Sequence, residues 1–270
     1  MTFDEYQALK GYLNWSLLKE AQKSMLHFRW RLANPLTSTP AMDLGRAAHC
    51  AVLEPDRFFT DFAYFDGPRR AGKAWEEFAA VNVGRTILKP DDYEKVLAMR
   101  DAVFSHKVAR RLLRGGKSEV SLKWTDEVTR MRLKARLDHV RGDTLVDFKT
   151  TRDIEERVFS RLAVKLGYIS QLAMYRMGLI ANGHDEGPVY MIAVESEGPF
   201  DVAVYELDDE ALYAGEEIVR ELLQKVKDYR RWTKPPGRYP YLKTLEVPPW
   251  FFDDGKDQEL ILTGFKAREG

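Results

Sequence analysis

Hydrophobic positions recur along the chain with two periods, and the change between them separates a helical first part from a mixed second part. Leu17, Leu18, Ala21, Met25 and Phe28 mark one face of a predicted helix over residues 14–32, capped by Asn14 or Ser16. Leu44, Ala47, Ala48, Ala51 and Val52 mark a second over 41–53, which Pro55 ends. A third over 91–113 stops at Gly115-Gly116. Residues 35–40, the basic stretch 67–72 and residues 83–90 read as connections.

From residue 119 the period becomes two. Val120, Leu122 and Trp124 alternate with Glu119, Ser121 and Lys123. Met131, Leu133, Ala135 and Leu137 then alternate with Arg132, Lys134, Arg136 and Asp138, giving a strand with one apolar face and one cationic face that ends in a carboxylate. Residues 144–149 form a β-rich run in which Leu145, Asp147 and Lys149 share a face and Val146 and Phe148 take the other. Helices are predicted from near Asp153 and over 168–180, strands over 189–194 and 201–206, and a long charged helix over 207–232. The tail, with Pro235-Pro236-Gly237, Pro248-Pro249-Trp250 and Phe251-Phe252, is expected to pack on its own domain. The order predicts an α/β (α+β) fold, a central mixed sheet flanked by helices. It forms one domain over 1–270: a mainly helical part (1–116), a core (117–235) and the tail (236–270).

The two runs around Gly142-Asp143 carry the candidate chemistry. That dipeptide suits a two-residue hairpin turn. With Arg141 facing Thr144, Asp138 stands opposite Asp147 and Arg136 opposite Lys149. Residues so opposed have Cβ atoms about 4.5–5.5 Å apart, and two carboxylates at that distance repel unless a proton or cation is shared. A divalent cation with oxygen ligands and substrate phosphate uses such a pair, and a lysine two residues on can orient or deprotonate an attacking water. Glu119 is a third acidic site residue or the salt-bridge partner of Arg136, and the second reading is favoured. His49, one helical turn from Gly45, is a buried hydrogen-bonded histidine or a ligand. Gln171 and Tyr175, four apart, share a helical face, and a glutamine there needs partners.

Composition narrows the classes. The 270 residues carry no formal net charge, so any attraction for nucleic acid has to be local. Residues 105–136 supply it, with ten Lys or Arg against three acids. The single Cys50 excludes an internal disulfide framework and a four-cysteine metal or iron–sulfur site. No run approaches 18 apolar residues and the start lacks a signal-peptide pattern, so a cytoplasmic protein without membrane attachment is expected.

Taken in order, Gly45-x-x-x-His49, Asp138, Asp147-Phe148-Lys149-Thr150-Thr151 and Gln171-x-x-x-Tyr175 resemble the PD-(D/E)xK nuclease superfamily. The closer likeness is to phage and prophage exonucleases of the exodeoxyribonuclease VIII type. Residues 14–19 and 69–78 also look like these proteins. The resemblance implies a restriction-endonuclease-like fold and a processive exonuclease on linear double-stranded DNA, digesting from the 5′ end and leaving a 3′ overhang for a single-strand annealing recombinase. It implies Mg²⁺, with Mn²⁺ able to substitute, and a ring-shaped homo-oligomer, trimer or tetramer, encoded by a phage or prophage and acting in the bacterial cytoplasm. By the same resemblance Asp138 and Asp147 are metal ligands, with the Phe148 main-chain carbonyl as a further one, and His49 is an additional metal or phosphate-side residue. Lys149 is the catalytic lysine, Gln171 and Tyr175 position the lysine or the DNA, and Ser16 contacts DNA or a 5′ phosphate. The second acid of the superfamily is often Glu, where this chain has Asp147. Arg132, Lys134 and Arg136 would add salt-sensitive attraction for the DNA backbone. A structure-selective endonuclease on the same core and a non-catalytic module binding DNA ends are the competing functions.

Overall fold

In a computed structural model describing residues 1–35, 39–229 and 233–248, the chain opens with a short helix, α1 (Phe3–Ala8), closed by a Thr2/Glu5 capping box. The helix predicted over 14–32 is three: α2 (Trp15–Leu18), α3 (Glu20–Lys23) and α4 (Met25–Ala33). Asn14 caps α2 by accepting from the Leu17 N–H, as expected. Ser24 breaks the run: it is fully extended, and its hydroxyl caps the next helix at the His27 N–H.

Next come α5 (Pro40–Leu53) and α6 (Pro55–Asp61), where Pro55 ends one helix by starting another at a position that needs no N–H. The connection expected over 83–90 contains a strand: β1 (Phe62–Tyr64) pairs in parallel with β2 (Thr86–Leu88) around α7 (Lys73–Val81). The predicted helix 91–113 divides at His106 into α8 (Pro90–Ser105) and α9 (Lys107–Leu113).

The sheet consists of β3 (Lys117–Thr125), β4 (Arg132–Arg141), β5 (Thr144–Thr151), β6 (Val189–Glu195) and β7 (Val202–Leu207). They lie side by side in chain order, all antiparallel except for the parallel β5–β6 pair. The crossover that makes that pair parallel holds α10 (Glu156–Leu166) and α11 (Tyr168–Ile180). The last helix, α12 (Asp209–Tyr229), packs on α11.

The two faces of the sheet bury different cores. Val146, Phe148, Ile192 and Val194 meet α5, α6, α8 and α9, whereas Ala135, Leu137, Leu145 and Met191 meet α10 and α11. A third cluster joins Trp15, Leu18 and Phe28 to Leu133, Met174 and Leu223 of α12. The tail touches the molecule through Pro236, whose carbonyl accepts from the Leu26 N–H (3.1 Å), and Arg238, which donates to the Lys23 carbonyl (3.3 Å). Pro249, Trp250, Phe251 and Phe252 and the final turn of the long helix, expected to reach residue 232, lie outside the described residues. No helix among the described residues is long and apolar enough to cross a membrane.

Candidate active site

The hairpin forms in the expected register, with Arg141 facing Thr144, Val140 facing Leu145 and His139 facing Val146. Gly142 adopts φ +58°, the left-handed conformation the turn demands. One pair further on, where Asp138 would face Asp147, the ladder stops. The Asp138 carboxylate instead accepts the Phe148 N–H at 2.7 Å, a side chain taking the place of the partner strand's carbonyl. On the other side the β3–β4 ladder skips the Glu119–Asp138 pair, and Glu119 has φ +54°. Leu137 and Val140, three apart, both enter the α11-side core, so strict alternation lapses at Asp138 and His139. β4 is therefore released from both neighbours at one residue, and the carboxylates gather at that gap.

α5 brings His49 to the same place. Its Nδ1 lies 3.6 Å from Asp138 Oδ2, and its ring meets Phe148 edge-on at 5.1 Å. Ligand atoms of His49, Glu119 and Asp138 all fall within 4.8 Å of one another. Asp147 is buried beside them at 1% exposure, with the Lys149 ammonium against its Oδ2 as an ion pair.

The electrostatics follow from burial of like charges. Burial pushes Asp147 up to about 6, with the Lys149 cation opposing the shift and Asp138 adding to it. Asp138 is raised by burial against the pull of Lys149 and the Phe148 N–H, and Glu119 by burial and the Asp138 charge. Burial works to lower Lys149, but Asp147 and Asp138 outweigh it and hold the ammonium above the ordinary lysine value. His49 is lowered by burial and by Lys149, which leaves the imidazole neutral, the form a ligand needs.

The donor set suits a hard divalent cation: the Glu119 and Asp138 carboxylates gather with a neutral His49 imidazole, and the buried Asp147 carboxylate, ion-paired to Lys149, lies close by. Glu119 ion-pairs with Arg136, as the favoured reading expects, while one of its oxygens lies within 4.8 Å of the His49 and Asp138 ligand atoms.

A sequence profile of the family described as PDDEXK-like domain of unknown function (DUF3799) matches residues 14–241. The chain belongs to this family. No curated protein matches it. The fold is similar to that of a candidate exonuclease from Eubacterium rectale, at TM-score 0.63 and 14% identity over 95% of this chain and 99% of that one. A phage-related exonuclease from Haemophilus somnus 129PT shares 15% identity over 84% of this chain and 97% of that one, at TM-score 0.37. LHK-Exo in complex with dAMP shares 15% over 68% and 90%, at TM-score 0.29. These last two superpose too loosely to bear on the site. The family is thus PDDEXK-like, and its fold is shared with the Eubacterium rectale protein.

Of the PDDEXK residues expected from sequence, Asp138, Asp147, Lys149 and His49 meet as described. Gln171 donates to the Tyr175 hydroxyl at 2.7 Å, and Tyr175 is buried where the Asp147 and Asp138 charges reach it. Phe148 supplies its N–H to Asp138, and its main chain is also within hydrogen-bonding reach of the His49 ring. Ser16 is exposed on α2.

The cationic row corrects an expectation. Phe3, Tyr6 and Tyr12 of the N-terminal segment sit on Arg136, Lys134 and Arg132 at ring distances of 4.8, 4.5 and 4.9 Å. Lys134 is buried and donates to the Tyr6 and Leu9 carbonyls at 2.8 and 3.2 Å, so it is no open DNA contact. Arg136 is held by Glu119 and by the Ser121 hydroxyl (2.9 Å). Arg132 remains exposed. Strand alternation places a residue on a face; it does not reveal that α1 lies across that face.

Sequence reasoning missed Tyr168, whose ring lies 4.7 Å from the Lys149 ammonium. Its signal was present, because Tyr168, Gln171 and Tyr175 follow the three- and four-residue spacing of one helical stripe. A cleft of about 600 Å³, lined by Phe3, Arg46, Phe62 and Thr86, opens beside His49 and Glu119.

Proposed function

We propose that this protein is a metal-dependent exodeoxyribonuclease that hydrolyses linear double-stranded DNA from its 5′ ends and leaves 3′ overhangs for homologous recombination. The observation that carries the reading is the half-buried cluster of His49, Glu119 and Asp138, with the buried Asp147–Lys149 ion pair beside it, at the gap in the sheet. His49, Glu119, Asp138 and Asp147 would hold Mg²⁺, or Mn²⁺ in its place. The bound cation supplies Lewis-acid polarisation of the scissile phosphate and a water of lowered pKa.

The chain's own residues do the rest. Lys149, kept protonated by the carboxylates, acts as a fixed cation that orients the water and offsets phosphate charge. Arg136 keeps Glu119 turned into the cluster. The Gln171 amide donates to the Tyr175 hydroxyl and so fixes a buried polar group that the Asp147 and Asp138 charges reach. The cleft beside His49 gives a strand access to these groups. The enzyme would work on DNA ends in the bacterial cytoplasm, as a ring of three or four copies encircling the duplex, and hand its product to a single-strand annealing protein.

The test is incubation of the purified protein with a 5′-phosphorylated linear duplex and with a covalently closed circle, each with Mg²⁺ or EDTA. Loss of the linear DNA alone, with metal alone, is expected, and end-labelling then reads the polarity. Cleavage of the circle would instead mark an endonuclease, and end binding without cleavage a non-catalytic module. Light scattering reads the assembly.

A further inference from the structure

Two of the groups in contact with the Lys149 ammonium differ in what they leave free. The Asp147 carboxylate is one, and a cation in the cluster would share it. The other is the face of Tyr168, 4.7 Å away. Gln171 and Tyr175, the pair the motif suggests for holding the lysine, bond to each other instead. We propose that Tyr168 is the positioning residue that holds the Lys149 ammonium in the site, an inference that rests on the nuclease reading above.

An aromatic face attracts a desolvated ammonium without offering a lone pair to a cation or adding a negative charge. A site with three carboxylates needs that kind of partner, since a fourth acid would raise their mutual repulsion. Tyr168 is also firmly seated. It is the first residue of α11, directly after Gly167 at φ +75°, and the Gly167 backbone lies so close to Trp15 that an added Cβ would stand 2.8 Å from the indole. Trp15 thus sets where α11 begins, and the start of α11 sets where the ring lies over the lysine.

The experiment compares wild type, Tyr168→Leu and Tyr168→Phe in the full chain. With linear duplex and Mg²⁺, Tyr168→Leu should lower kcat about ten- to thirtyfold. KM, Mn²⁺ affinity by electron paramagnetic resonance and melting temperature should stay near wild type. Tyr168→Phe, which keeps the ring, should recover kcat to within about threefold. In a Lys149→Ala background, Tyr168→Leu should have no further effect. Independently of cleavage, NMR of ¹³C-lysine-labelled protein should show a ring-current shift of the Lys149 ε-methylene that persists in Tyr168→Phe and vanishes in Tyr168→Leu. Full kcat in Tyr168→Leu, an equal loss in Tyr168→Phe, or an undiminished loss in the Lys149→Ala background would overturn the proposal. Absence of the ring-current shift in wild type would do the same. A wild type that shows the shift but cleaves no DNA would refute the nuclease reading, and with it the catalytic purpose of the contact, while leaving the contact itself established.

Discussion

Asp147 is the residue at which function works against stability. Its buried carboxyl has a pKa of about 6, against 3.8 in the unfolded chain, so between those values the folded protein keeps a proton that the unfolded chain has released. Its contribution to stability is therefore complete below about pH 4 and is lost as pH rises through 6. Asp147→Asn removes that loss. In EDTA the variant should be more stable than wild type at pH 7.5 by on the order of 1–3 kcal/mol, the gap should close toward pH 4, and cleavage should disappear. Urea melts across that range check it; parallel pH profiles would count against a buried, charged Asp147. Lys134 makes the opposite case, because a lysine in a cationic row turns out to be structural. Lys134→Met strips two carbonyls of their donor and should cost about 1–3 kcal/mol. Affinity for linear duplex and its dependence on KCl, read by fluorescence anisotropy, should be unchanged. A salt slope smaller by about one would return Lys134 to the DNA surface.

Helices and strands were legible in the sequence where a period ran long enough. α5 and α11 appeared nearly to the residue, as did the hairpin of β4 and β5, because turn and breaker residues mark their ends: Pro55 after α5, Gly183 after α11 and Gly142 between the two strands. The run over 14–32 failed because its apolar spacing continues through Ser24, whereas the backbone leaves the helix there to cap the next one. β1 and β2 were missed because three residues are too few to establish a period. At the α10–α11 junction the sequence shows only a glycine, but the fold makes it indispensable. Gly167→Ala adds a Cβ at a left-handed φ and 2.8 Å from Trp15. Such a change should cost at least about 1 kcal/mol from the backbone alone, more from the clash, and displace α11 from Lys149. Chemical denaturation with parallel activity assays would show stability and kcat falling together; a neutral outcome would contradict the tight seat on the indole.

At the scale of the whole molecule, cation binding would be linked to folding, since the proposed ligands His49, Glu119, Asp138 and Asp147 come from α5, β3, β4 and β5, which only the folded chain brings together. A cation that binds only the folded form stabilises it by about 2.7 kcal/mol at a hundredfold excess over Kd, and a domain of this size gains about 2–4 °C per kcal/mol. Mg²⁺ or Mn²⁺ should thus raise the melting temperature by about 5–10 °C at saturation, and Asp138→Ala should lose the increment. Differential scanning calorimetry in EDTA and in stepped metal concentrations measures both, and an equal rise in Asp138→Ala would place the binding elsewhere.

By itself the sequence determined the fold class and the hairpin with its register, and it singled out Asp138, Asp147 and Lys149 as candidates, because alternation and turn chemistry are local and a close pair of acids has few structural uses. Only the tertiary structure decided what those residues face. Asp138 drops out of the backbone ladder and its carboxylate accepts the Phe148 N–H of β5, Glu119 joins the cluster from the neighbouring strand, α1 covers Lys134 and Arg136, and Tyr168 lies over Lys149. Each of these depends on how separate elements are placed against one another, and a period along one element carries no record of what the fold sets across from it.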